Sequence, residues 1–123
     1  MIIHAPISIG ELIDKITILE LKLEFLTDPK KLENVRVELT HLIDILNQLT
    51  IPDIVPERET LKLVNRRLWH IENFKRECEK NQTFGEDFVE AARQVYLKND
   101  LRAEIKRKIN DMVGSTIVEE KSY

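Results

Sequence analysis

Apolar residues recur every three and four positions along most of the chain. The clearest run is Leu32, Val35, Leu39, Leu42, Leu46 and Leu49, a heptad seam on one long helix. Leu12, Ile16, Leu19, Leu23 and Leu26 repeat the spacing, as do Leu61, Val64, Leu68 and Ile71, so each helix has a stripe to bury on a neighbour. The last segment keeps the register through Phe88, Ala91, Val95, Lys98, Arg102, Ile105, Ile109 and Met112, with two cations in its seam. The pattern predicts an all-α antiparallel bundle of four long helices, about residues 9–26, 29–50, 57–80 and 84–113. An extended C-terminal tail follows, and residues 1–123 form a single helical-bundle domain.

The punctuation agrees with this division. Ser8 and Glu11 have capping-box spacing, with Ile7 and Leu12 placed for a hydrophobic staple. Thr27-Asp28-Pro29 ends the first helix and starts the second, Asp28 as N-cap and Pro29 at the first helical position. Pro52 and Pro56 bracket the longest linker. Thr83-Phe84-Gly85-Glu86 repeats the capping-box pattern before the fourth helix, and Gly114 supplies a C-terminal cap. One continuous fourth helix is expected; the competing arrangement breaks it at Asn99-Asp100, with Asp100 capping a fifth.

Composition narrows the function classes. With 42% hydrophobic and 33% charged residues the chain is too apolar for disorder. A net charge of -3 and a pI near 5.7 give no field toward a phosphate backbone or an anionic membrane, so neither nucleic acid nor membrane is an expected partner. The single cysteine, Cys78, permits no intramolecular disulfide, and the opening Met1-Ile2-Ile3-His4-Ala5-Pro6 lacks a basic n-region and a long apolar core. A cytoplasmic location is the expectation.

Chemistry is sought where the apolar pattern breaks. Lys98, Arg102 and Lys106 recur at intervals of four, stacking cations about 6 Å apart along one helical face. A carboxylate, a phosphate or an acidic partner would satisfy them; the competing reading lays the lysine stems over the bundle edge with their ammonium groups in water. Arg102 shares the heptad position of Phe88, Val95 and Ile109 and needs a partner if buried. Asp14 is the matching anomaly, because it extends a second apolar line on helix one, Ile18, Leu21 and Phe25. We expect Asp14 and Arg102 in one polar cluster, with Lys15, Asn99, Lys98 and Lys106 around it as a candidate anion site. A solvated first-turn acid is the alternative for Asp14. The second line itself predicts a helix wedged between neighbours or buried in an oligomer, and a homo-oligomer is expected.

Trp69, Glu72 and Tyr96 lie off their seams and are candidates for a pocket wall, or for the core edge. The apolar ends predict a docked tail, with Glu119 and Glu120 offered to Lys106 or Arg102 and the Tyr123 ring set against a helix edge. His4, His41 and His70 lack metal-ligand spacing, no glycine-rich phosphate loop is present, and Ser8 and Ser115 read as helix-end residues. No metal or cofactor is expected, and catalytic residues are not assigned.

Pro6-Ile7-Ser8-Ile9-Gly10-Glu11-Leu12-Ile13-Asp14-Lys15-Ile16-Thr17-Ile18-Leu19-Glu20 and the closing Glu119-Glu120-Lys121-Ser122-Tyr123 resemble a family of small helical bacterial proteins of unknown function. Leu68-Trp69-His70-Ile71-Glu72, Phe84-Gly85, Val95-Tyr96 and Asn99-Asp100-Leu101-Arg102 extend the likeness over nearly the whole chain. The resemblance implies an association with cell-surface polysaccharide or glycosyltransferase functions and transfers no activity. A looser likeness to the all-helical chorismate mutases stops at Ile13-Asp14-Lys15-Ile16, since helix one has no arginine for such a site. The leading expectation is therefore a protein-interaction or accessory module acting as a homo-oligomer, more a binding module than an enzyme. The alternative is a small all-helical enzyme or binding protein for an anionic metabolite such as a nucleotide sugar or carboxylate.

Overall fold

Four helices follow one another in a computed structural model that describes residues 1–122: α1 (Ile9–Phe25), α2 (Pro29–Asn47), α3 (Val55–Asn81) and α4 (Glu86–Val113). The Ser8 hydroxyl accepts from the Glu11 amide at 3.0 Å and starts α1. The return half of the expected capping box is replaced, because the Glu11 carboxylate takes Lys106 as its partner. Asp28 caps α2 through the Lys30 amide at 2.9 Å, with Pro29 in the first turn, where its missing N–H costs no helical bond.

Several boundaries move from their expected places for local reasons. α2 stops at Asn47, where the Gln48 and Leu49 amides turn back to Ile45 and Leu46, so Leu49 falls past the helix. α3 begins at Val55, two residues early, because the Asp53 carboxylate takes the Val55 amide at 2.9 Å and closes the turn. α4 begins at Glu86 behind Gly85, without a side-chain cap. Thr83 is used otherwise: Gln82 adopts a left-handed φ of 55° and the Thr83 amide bonds the Cys78 carbonyl, which closes α3. α4 continues unbroken through Asn99-Asp100.

α1 is the centre of the fold. The helix pairs that approach one another are α3 with α4, and α1 with each of α2, α3 and α4. Ile13, Ile54, Leu61, Val64, Ile105 and Ile109 form the core cluster where α1 enters the α3–α4 hairpin. This position accounts for both apolar lines of α1. Leu12, Ile16 and Leu19 are buried on one side and Leu21 on the other, while Ile18 and Phe25 are half-buried within the single chain. Of the second line, the single chain buries Leu21 and covers Ile18 and Phe25 in part.

α2 is held on one side only. Val35 alone of its residues is buried, and Leu32, Leu39, Leu42 and Leu46 are half-buried on α1. On α3 and α4, Cys78 is the one buried residue between positions 66 and 104, so the outer half of the hairpin rests chiefly on its own seam. Among the described residues no helix is long and apolar enough to cross a membrane.

Candidate functional site

The cations of α4 meet α1 as a ladder. Arg102, Lys106 and Asn110 stand one turn apart, and on the facing helix Asp14, Glu11 and Gly10 take them in order. The Arg102 guanidinium grips Asp14 with two bonds, Nε to Oδ1 at 2.9 Å and Nη2 to Oδ2 at 2.5 Å. Lys106 Nζ lies 2.5 Å from Glu11 Oε2, and Lys15, which is exposed, is 3.9 Å from the other oxygen. The Gly10 amide donates to Asn110 Oδ1 at 2.7 Å.

Asp14 is closed in on every side. It is 1% exposed, and α3 adds Asn65, whose Nδ2 donates to Asp14 Oδ1 and to Thr17 Oγ1, both at 2.9 Å. The Thr17 hydroxyl donates in turn to the Asp14 carbonyl at 2.8 Å. A carboxylate can be buried so deeply only when its lone pairs are taken by donors and its charge is matched. Hydrogen bonding to Asp14 raises the Arg102 guanidinium above its ordinary range against the opposing pull of burial, so the guanidinium keeps its charge. Asn99 accepts from Arg102 Nη1 at 3.4 Å. Lys98 is half-buried one turn beyond the ladder.

Asn65→Ala is expected to cost about 1 to 3 kcal/mol, since it leaves Asp14 and Thr17 short of a buried donor. Urea denaturation of Asn65→Ala, Thr17→Val and the double variant checks this. The double variant should cost clearly less than the sum, because the two side chains share one bond.

The tail docks beside the ladder, on partners other than those expected. Arg102 and Lys106 are already held by Asp14 and Glu11. Glu119 instead accepts from the Ser8 hydroxyl at 2.6 Å and from Asn110 Nδ2 at 3.4 Å. Glu120 takes Arg107 with two bonds of 3.1 and 3.2 Å, which raise the Arg107 pKa, and Lys121 Nζ reaches Asp100 at 2.5 Å. Between tail and helix lies a cleft of about 410 Å³ lined by Ala103, Glu104, Lys106, Arg107 and the tail. Tyr123 lies outside the described residues.

The proposed pocket wall does not form at this site. Trp69 stacks on Phe25 at 5.3 Å between ring centroids, at the opposite end of α1 from Glu11, and Glu72 pairs with Lys75 at 3.4 Å. Tyr96 is 53% exposed. Trp69 thus belongs to the core edge, the ring being satisfied by a neighbouring ring.

Gly10, Thr17, Asn65 and Asn110 belong to the site and do not stand out in the sequence. A short amide beside a seam residue, as Asn65 is beside Val64 and Asn110 beside Ile109, is the available signal. Gly10 has another, a glycine in a helix turn that only a close approach would favour. A Cβ there would lie 2.5 Å from the Lys106 carbonyl oxygen.

Chemically the ladder is a clasp. Each of its cations has its acid inside the chain, and Asp14 is engaged by both Arg102 and Asn65. Among the described residues no group of three His, Cys, Asp or Glu side chains could hold a metal ion.

Four helices gathered on a central, ion-paired α1 define an all-helical protein whose polar core joins its first, third and last helices. A family model of unknown function, DUF6165, matches residues 3–123, and the chain belongs to that family. No curated protein and no solved structure is similar enough to the chain to count as a match.

Proposed function

We propose that the protein is an interaction module that associates through the outer face of α2, with a second copy of itself as the partner. The observation that carries this reading is the one-sided packing of α2. Its free side exposes Val37 by 51%, Ile45 by 42% and, just past the helix, Leu49 by 37%. Val37, His41 and Ile45 follow one another at four-residue intervals, the ridge used in the commonest class of helix crossing. Such a ridge is its own complement across a two-fold axis, and a net charge of -3 gives little self-repulsion. The cationic stripe supports an anionic metabolite poorly, because Asp14 and Glu11 already neutralise Arg102 and Lys106. The proposed setting is the cytoplasm, as an accessory beside enzymes of cell-surface polysaccharide biosynthesis, and this part rests on the family resemblance alone.

Sedimentation at tens of micromolar tests the association. The wild-type chain should run at twice its 14.5 kDa mass. The variant carrying Val37→Glu and Ile45→Glu should run as a monomer with an unchanged helical signal. A monomeric wild type, or a variant that still dimerises, overturns the reading.

A further inference from the structure

The tail is fastened in an unusual way. α4 ends at Val113, its cap Gly114 turns the chain back with a φ of +67°, and the Ser115 amide bonds the Asn110 carbonyl at 2.9 Å. From there to Glu119 the path is lightly buried, with Ile117 38% exposed and Val118 half-buried. The bonds that fasten Glu119 and Glu120 run from side chain to side chain.

Two of their partners, Asn110 and Ser8, also bond backbone amides of α1. The Asn110 amide can point only one way, because its oxygen is held by the Gly10 amide at 2.7 Å, which turns Nδ2 toward the tail. Ser8 is 1% exposed and Asn110 2%, so both donors are buried, and Asn110 lines the cleft. Arg107 stands at its rim and presents the fork geometry that reads a carboxylate through two bonds. Two successive carboxylates are therefore read by two separate donor sets, and about 410 Å³ of open space remains alongside.

We propose that this cleft is a receptor for an extended acidic peptide, and that Glu119 and Glu120 are its occupant in cis. The ligand is a segment with two adjacent glutamates, supplied by another protein chain. It replaces the tail on Ser8, Asn110 and Arg107 and releases residues 115–122 from α4. A tethered occupant acts at an effective concentration of about millimolar, so a free peptide meets a site that is mostly closed. Weakening the tail in place opens the site and raises the apparent affinity by the inverse of the open fraction. This inference does not depend on α2, and a chain that is monomeric yet binds the peptide would keep it.

The probe is a fluorescein-labelled synthetic peptide of residues 114–122, followed by anisotropy against the full chain. Glu119→Gln with Glu120→Gln in the protein should tighten binding of the unmodified peptide at least tenfold over wild type. Glu120→Gln alone, which touches an exposed pair and leaves the fold untouched, should tighten it in the same direction. Adding Arg107→Ala to the double variant should abolish the gain, and a peptide with both glutamates changed to glutamine should bind neither protein. Equal binding to wild type and both variants, or indifference to the peptide's glutamates, overturns the proposal. Succinate competing as well as the peptide overturns the peptide class as ligand.

Discussion

Arg102→Ala is expected to be the most damaging single substitution in the chain, at about 5 kcal/mol, with Asp14→Ala costing about 3 kcal/mol. The order follows from what each leaves behind. Without Arg102, a carboxylate 1% exposed retains Asn65 as its side-chain donor and loses the guanidinium that bonds both of its oxygens. Without Asp14, the guanidinium is already 29% exposed and can turn into the groove beside Ile18 and Glu38 to find water. Against a total stability of about 5 to 15 kcal/mol, the larger loss leaves a barely folded chain. Replacing both, with Asp14→Leu and Arg102→Met, should return to within about 2 kcal/mol of wild type, since apolar residues of similar size avoid desolvation altogether. Urea denaturation of the three variants checks the set. An Arg102→Ala cost no greater than that of Asp14→Ala would refute the argument from exposure, and a double variant as weak as the singles would show that the loss is not one of unpaired charge.

How much of this was legible beforehand depends on whether a feature is local. The helices are legible because Pro29, Pro52, Pro56 and Gly114 punctuate them and their apolar periods are long. The shifted ends come from single capping contacts, Asp53 to the Val55 amide and Thr83 to the Cys78 carbonyl, which compete with equally plausible caps nearby. Asp14 and Arg102 are legible as charges on apolar lines. Asn65, Thr17 and Asn110 are not, because a small polar residue on a helix looks the same whether it meets solvent or a crossing helix. The tail partners escape for a related reason: Lys106 and Arg102 look free until α1 supplies their acids. α2 is the instructive case, since the most regular heptad in the chain buries only Val35. A regular stripe identifies a face to be covered, and one neighbouring helix covers less of it than the stripe offers.

The close approach of α1 to α4 depends on Gly10, and the glycine series separates three physical effects. Gly10→Ala should cost about 2 to 4 kcal/mol. Alanine is the better helix former by about 1 kcal/mol, so intrinsic propensity predicts the opposite sign. The added Cβ, however, would sit 2.5 Å from the Lys106 carbonyl oxygen and 2.9 Å from Asn110 Oδ1. Neither is the free end of a flexible chain: the carbonyl is part of α4, and the Asn110 amide is pinned between the Gly10 amide and Glu119. α1 must then lift from α4, which strains the packing by about 1 to 3 kcal/mol and leaves a buried amide oxygen without its donor. Gly114→Ala should cost about 1 kcal/mol, because its φ of +67° is left-handed although the space around it is open. Gly85→Ala, with an ordinary φ of -79° and nothing within 4 Å of a new Cβ, should change stability by less than about half a kcal/mol. Thermal and urea unfolding of the three variants gives the ranking. A stabilised Gly10→Ala variant would mean that α1 and α4 stand further apart in solution than the ladder requires, and it would undo the geometry on which both the Arg102 clasp and the tail site depend.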